Sequence, residues 1–171
     1  MLRFFVDAVL TGRVLGIDAA ATPAEATSAL GDDYAENQFY DDAMWRDYGI
    51  VEVHWVRTSV TDPWLGHHIS IQTHRLGGDG DHDPMNANVR AAYGGFPSRL
   101  RFDSLQAGLS ARGGRLTPVT RPEGDVLEFV HRPAGASVLV ATAACAVGLA
   151  AGDVYRIALS AAFVRGRPQV P

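Results

Sequence analysis

The sequence predicts an α+β fold in which two similar blocks, each a helix followed by an antiparallel meander, pack together. Three observations support it. Several short stretches alternate apolar with polar residues, as strands with one solvated face do. Helices with clear start and stop signals precede these stretches. The order of short strand, capped helix and meander also occurs twice in the 171 residues. This order favours helices on one face of an antiparallel sheet.

The first block, residues 1–76, begins with apolar residues at helical spacing over 2–11. A second helix is predicted from Thr22, which suits an N-cap, Pro23 at the first helical position and Glu25 at the acid position of a capping box. Residues 50–57 and 64–75 alternate like strands, with Thr58 to Pro63 as the turn.

The second block, residues 96–171, repeats this order. Asp103 is expected to cap its helix, and strands are predicted at 116–120, 126–132, 138–142 and 154–159. The similarity of IVEV at 50–53 to VLEF at 126–129 leaves a tandem repeat and a chance order equally open. Between the blocks, residues 77–95 are rich in Gly and Asp, so we expect a connecting loop without a packed element.

Composition excludes several classes of function. The net charge is −4, and lysine is absent, so the chain lacks the basic surface that nucleic-acid binding requires. No apolar run reaches the roughly 20 residues that span a bilayer. A single cysteine, Cys145, precludes an internal disulfide and agrees with a reducing compartment. We therefore expect a cytoplasmic protein that binds neither nucleic acid nor membrane.

Motifs for metal or cofactor chemistry are incomplete. Adjacent strand residues point to opposite faces, so His67 and His68 are expected to diverge, and His74 lies six residues beyond His68. Asp79, Asp81 and Asp83 begin like a calcium loop, but Pro84 and Arg90 occupy the positions that need Gly and Glu. Cys145 has no basic neighbour in sequence to activate it. The sequence predicts no metal and no cofactor.

The most unusual stretch is GDDYAENQFYDDAMWRD at 31–47, with six carboxylates and four aromatic rings. Aromatic anchors within a charged rim are typical of protein interfaces, and carboxylates steer a basic partner. The alternative is that the rings turn inward and only the acids remain solvated. On the interface reading, the partner-binding residues are Asp32, Asp33, Tyr34, Glu36, Tyr40, Asp41, Asp42 and Trp45.

A different hypothesis places function on the polar face of the sheet. Glu52, His54, Gln72 and His74 would converge there if the two strands at 50–57 and 64–75 pair in the right register. Such a group would suit a small-ligand binder or an enzyme with a carboxylate base. A third alternative is a structural module that pairs with itself through an exposed strand edge.

The strings VLGIDAAATPAEATSALGDDYAE, RDYGIVEVHW and HHISIQTHRL resemble small actinobacterial proteins of the type that serve as immunity partners of polymorphic toxins. The resemblance covers about residues 10–76. The helix entry also resembles that of small lipoproteins of outer-membrane assembly, which carry a lipid-anchor cysteine. What the immunity resemblance implies is a bacterial, non-enzymatic binding protein that masks the active site of one toxin, and the acidic segment at 31–47 favours a toxin whose active site is basic.

Overall fold

The computed structural model describes residues 2–77, 85–119, 126–144 and 148–161. Within them the chain forms four α-helices, namely α1 (Arg3–Thr11), α2 (Pro23–Leu30), α3 (Ala87–Tyr93) and α4 (Phe102–Ser110). The first strands are β1 (Arg13–Val14), β2 (Ile17–Asp18), β3 (Ala35–Phe39), β4 (Ala43–Asp47), β5 (Val51–Val56) and β6 (Leu65–Ile71). The later strands are β7 (Thr117–Pro118), β8 (Val126–His131), β9 (Ala136–Ala141) and β10 (Val154–Ser160). Short 3₁₀ helices lie at Thr73–Gly77 and Arg132–Ala134.

Eight of these strands form one antiparallel sheet in the order β3-β4-β5-β6-β10-β9-β8-β7. Each block contributes a four-strand meander preceded by a helix, so the predicted α+β class is confirmed. The meanders join through their last strands, where Ile71 lies opposite Ile157 and Ile69 opposite Leu159. The two blocks therefore share one sheet and one hydrophobic core.

The faces of the sheet differ because side chains alternate along each strand. On the first face, the register aligns Val53, Ile69 and Leu159, all fully buried. Helices cover this face, and the indole Nε1 of Trp55 donates to the carbonyl of Ala21, just before α2, at 2.7 Å. The ring of Phe102 in α4 packs on Phe129 of β8. We call the opposite face, which carries Trp45, His54, Ser70, Ser137 and Ala158, the open face.

Local signals set the helix ends as the sequence predicts. The Thr22 hydroxyl accepts from the Glu25 amide, and the Glu25 carboxylate accepts from the Thr22 amide, which completes the capping box of α2. Gly12 ends α1 in the left-handed conformation, with φ of 67°. None of the helices in the described ranges has the length and apolarity that a bilayer crossing requires.

Three predictions are corrected. The loop expected at 77–95 contains α3, because the Asn86 side chain caps two backbone amides and Val89 is fully buried. Asp103 lies inside the first turn of α4, whose N-cap is Arg101. The strand expected at 64–75 ends at Ile71, after which the chain turns into a 3₁₀ helix that redirects His74.

Candidate functional site

Residues 35–47 form the β3–β4 hairpin, which we call the acidic hairpin. Its register pairs Ala35 with Asp47 and Phe39 with Ala43. Arg46 anchors it to α2, since its guanidinium donates to the Pro23 carbonyl at 2.9 Å and to the Thr27 hydroxyl at 2.8 Å. The base of the hairpin is therefore held firmly, and its tip extends at the edge of the sheet.

The tip of the acidic hairpin presents two aromatic rings to solvent. Phe39 is 60% exposed and Tyr40 is 78% exposed, and their rings contact edge to face at 4.5 Å between centroids. Tyr40 occupies the left-handed region, with φ of 56°, which is uncommon for a bulky residue. Asp41 and Asp42 follow, both exposed. The structure thus places rings and carboxylates side by side at the surface.

An apolar row continues from the tip across the open face. The register aligns Phe39 with Ala43, Ala43 with Val56 and Val56 with Leu65, so four strands contribute to one row. Phe39, Val56 and Leu65 are all exposed large apolar residues. Val60, in the turn after β5, adds another at the same end of the sheet. Exposed apolar residues that cluster in this way are typical of an interaction surface.

The next row inward is a stack of rings. Trp45 lies parallel to His54 at 6.0 Å, and His54 lies parallel to His68 at 3.9 Å between ring centroids. Burial, together with the charges of His54, His67 and Arg156, lowers the pKa of His68 to about 3 against the opposing effect of Glu52. The His68 ring is consequently neutral near neutral pH, and the three rings together present a flat surface.

The prediction that His67 and His68 diverge is wrong. Their Nδ1 atoms lie 2.7 Å apart, with one ring nitrogen donating to the other. The pairing of β5 with β6 shifts register between His54 and Trp55, so His68 pairs with His54 while Gly66 pairs with Trp55. His67 is the extra residue of a β-bulge, which brings its side chain back toward its neighbour.

A charged network forms the third row. The Glu52 carboxylate accepts from Gln72 at 2.6 Å and from Arg75 at 2.6 Å, and Arg75 also contacts Asp47 at 3.0 Å. The His54 Nε2 atom lies 3.4 Å from the same carboxylate, a distance within ion-pair range but without hydrogen-bond alignment. Burial raises the pKa of Glu52, but the contacts with His54 and Gln72 and the charge of Arg75 outweigh it and lower the pKa to about 2.

The four residues of the predicted polar face are therefore only partly brought together. Glu52, His54 and Gln72 converge, whereas His74 stacks on Tyr155 at 5.0 Å between ring centroids. A carboxylate with a pKa of about 2 is a poor general base, because efficient bases have a pKa near the working pH. The network fixes the position of Arg75 and the start of the 3₁₀ helix.

The predicted partner-binding residues divide into two groups. Tyr40, Asp41, Asp42 and Trp45 lie at the tip or on the open face, as described above. Tyr34 instead packs on Tyr48 at 5.1 Å and beneath the Arg46 guanidinium at 4.4 Å. Glu36 is exposed and pairs with Arg46 at 2.8 Å.

Asp32 and Asp33 are exposed and line a cavity of about 370 Å³ between the end of α2 and the start of α3. The cavity lies at the end of β3 and β4 opposite the hairpin tip, where Asp47 and Tyr48 also line it. The predicted residues thus do not form one contiguous surface.

Other candidates carry less information. Asp79, Asp81, Asp83 and Cys145 lie outside the described residues. Within the described ranges, no group of three or more His, Cys, Asp or Glu side chains is arranged to hold a metal ion. The contributions that sequence reasoning missed are Phe39 as an exposed ring and Arg75 as the partner of Glu52. Both lie inside stretches that the sequence singled out, and only the register identifies their roles.

Comparison of the chain with protein families, with curated proteins and with solved structures found no match.

Proposed function

We propose that the protein is a non-enzymatic cytoplasmic binding protein, an immunity-type inhibitor that docks the acidic hairpin onto a basic toxin domain. The observation that carries this proposal is the exposed pair Phe39 and Tyr40, which adjoins Asp41 and Asp42 at the hairpin tip. Exposed aromatic area is unfavourable in water, and aromatic residues are enriched among interface hot spots. A partner would cover these rings.

The rigidity of the hairpin supports a mode in which its rings enter a cleft. Arg57 donates from its backbone amide to the Asp42 carbonyl at 2.9 Å and from its Nε to the Asp41 carbonyl at 2.6 Å, and Arg46 holds the base of the hairpin against α2. A preorganised hairpin loses little conformational entropy on binding. Phe39 and Tyr40 would enter the partner's cleft, while the apolar row through Val56 and Leu65 and the ring of Trp45 would contact its rim.

Charge supports a basic partner. Asp41 and Asp42 are exposed at the tip, and the whole chain has a net charge of −4. Carboxylates around a hydrophobic anchor accelerate association with a positive surface. A nuclease-type toxin fits this description, because its active site must be basic to hold phosphates.

The second candidate function, a small-ligand binder or enzyme on the polar face, rests on the convergence of Glu52, His54 and Gln72. It has less support, because the Glu52 carboxylate already has protein partners on both oxygens.

The test uses the toxin domain encoded beside this chain in its native genome. Titration calorimetry with wild-type protein should show a complex, and co-expression should protect cells. The double variant Phe39→Ser with Tyr40→Ser should weaken binding by about 30-fold or more, as expected for hot-spot rings. Leu127→Ser is the matched control, since Leu127 is an exposed apolar residue at 41% in the second meander.

The charge contribution is tested separately. Asp41→Asn with Asp42→Asn should slow association and reduce its salt dependence, whereas Asp103→Asn, which removes an exposed acid on α4, should leave both unchanged. Unaltered affinity in the double ring variant, or the absence of any toxin gene beside this one, would overturn the proposal.

A further inference from the structure

The second meander contains a cavity of about 520 Å³ on the open face, away from the acidic hairpin. It lies over β8, β9 and β10, and its apolar lining includes Val126, Leu139 and Ala158. A volume of this size suits a small molecule, for which sites of about 300–1,000 Å³ are usual. Three polar side chains share the cavity with this apolar lining, and their arrangement indicates the chemistry of a ligand.

Arg156 forms the positive pole of the cavity. Its Nε atom is buried and has no hydrogen-bond partner. Among the described residues, no carboxylate lies within ion-pair distance of Arg156. By contrast, the buried Asp153 is paired with both Arg99 and Arg101. The Arg156 side chain is half-buried, and an anion that entered the cavity would accept a charge-assisted hydrogen bond from its guanidinium.

Glu128 forms the negative pole. Its carboxylate accepts a hydrogen bond from the hydroxyl of Ser137, a neutral donor, and within the described part of the chain no cation pairs with it. The register explains why Glu128 and Arg156 do not neutralise each other. Leu139 of the central strand lies opposite both, so the two charges stand two strand spacings apart, about 10 Å between backbones.

We propose that this cavity binds a small zwitterion of dipeptide size. Its carboxylate would accept hydrogen bonds from Arg156, its protonated amine would donate to Glu128, and its apolar body would lie on Leu139. A single α-amino acid carries both charges on one carbon and is too short to reach both poles. An unblocked dipeptide spans about 7 Å, and the two side chains reach inward over the remaining distance. The cavity belongs to the second meander, whereas the acidic hairpin belongs to the first, so ligand binding here is independent of the proposed function.

The test compares three probes on the full chain by titration calorimetry and by amide NMR shifts. The probes are the free dipeptide alanyl-leucine, its N-acetylated form and its C-terminal amide, all at up to millimolar concentration. The free dipeptide should bind and shift the amides of β8 to β10. Either blocked form should bind about tenfold more weakly or worse, because each loses one charged hydrogen bond.

Two variants assign the poles. Arg156→Gln should bind the free dipeptide and its amide equally weakly, and Glu128→Gln should likewise lose the preference for the free amine. Arg132→Gln, which removes an exposed arginine of the 3₁₀ helix, is the control and should bind as wild type does. Circular dichroism verifies the fold of each variant.

Absence of binding by the wild-type protein overturns the proposal, and so does equal affinity for all three probes. If Arg156→Gln fails to fold, the preference of the wild-type protein among the probes still decides the question.

Discussion

His54 and His68 stack face to face across β5 and β6, with 3.9 Å between ring centroids and 13° between ring planes. Burial lowers the pKa of His68 to about 3, so this ring stays neutral in the folded protein while it is protonated below about pH 6.5 in the unfolded chain. The unfolded state then binds more protons, and stability must rise with pH between about 3 and 6.5.

The first prediction concerns this pH dependence. His68→Gln removes one titrating group, so its free energy of unfolding should depend less on pH than that of the wild type. The difference in slope should approach about 1.4 kcal/mol per pH unit between pH 5 and 6. Urea denaturation at successive pH values measures it. Parallel curves for variant and wild type would show that the pKa of His68 is the same in the folded and unfolded states.

The second prediction concerns Glu52, whose side chain is 11% exposed and binds both Gln72 and Arg75. Glu52→Gln should destabilise the protein by about 2 kcal/mol at pH 7, because Arg75 loses a charged acceptor in a partly buried setting. Since the folded-state pKa is lowered to about 2, this contribution is present above about pH 4.5 and is lost as the pH falls toward 2.

Glu36→Gln provides the control for that measurement. Glu36 also pairs with an arginine, but its side chain is 46% exposed, so removal of its charge should cost less than about 1 kcal/mol. Chemical denaturation measures the free energy of unfolding of both variants. Equal losses in Glu52→Gln and Glu36→Gln would contradict the assigned role of Glu52.

The third prediction concerns Gly66 in β6, where a Cβ atom would lie 2.3 Å from the Ala19 carbonyl oxygen and 2.7 Å from the Ala20 carbonyl carbon. Backbone atoms cannot move aside as a flexible side chain can, so Gly66→Ala should destabilise by about 3 kcal/mol. Gly95→Ala, where no atom lies within 4 Å of the added carbon, should change stability by no more than about 0.5 kcal/mol. Thermal melts of the two variants provide the comparison.

The fourth prediction concerns the capping box of α2. Thr22→Ala removes the side-chain acceptor for the Glu25 amide and should cost about 1 kcal/mol. Thr22→Ser keeps a hydroxyl and should stay within a few tenths of a kcal/mol of the wild type. Denaturant midpoints measure both. A loss of similar size in the serine variant would indicate that the methyl group, and not the cap, stabilises the helix.

The sequence allowed α2 to be predicted residue by residue, because its signals are local: Thr22, Pro23 and Glu25 act within one turn. The alternation of Val51, Val53 and Trp55 likewise gave the buried face of β5. In contrast, β3 shows no alternation, because all five of its residues are exposed at the sheet edge. The helix α3 depends on Asn86, whose amide bonds to the Leu30 carbonyl in a distant part of the chain.

The candidate site was predictable only in part for the same reason. The composition of residues 31–47 was enough to predict a candidate surface there. Only the folding of this segment into a hairpin determines that Tyr40 is exposed while Tyr34 packs on Tyr48. The contact between His67 and His68 arises from a bulge that pairing with β5 creates, so no property of the two residues alone reveals it. Likewise, Arg156 and Glu128 lie on either side of Leu139 because of the register of β10, β9 and β8, which the sequence does not reveal.

The meeting of the two meanders at β6 and β10 also has a consequence during synthesis on the ribosome. Among the described residues β10 is the last strand in chain order, so the edge of β6 stays unpaired until residues 154–160 have been translated. A nascent chain in this state exposes backbone donors and acceptors that can pair with another molecule. Truncation before Val154 should therefore yield an aggregating fragment and not a stable half-protein, because each meander completes the other.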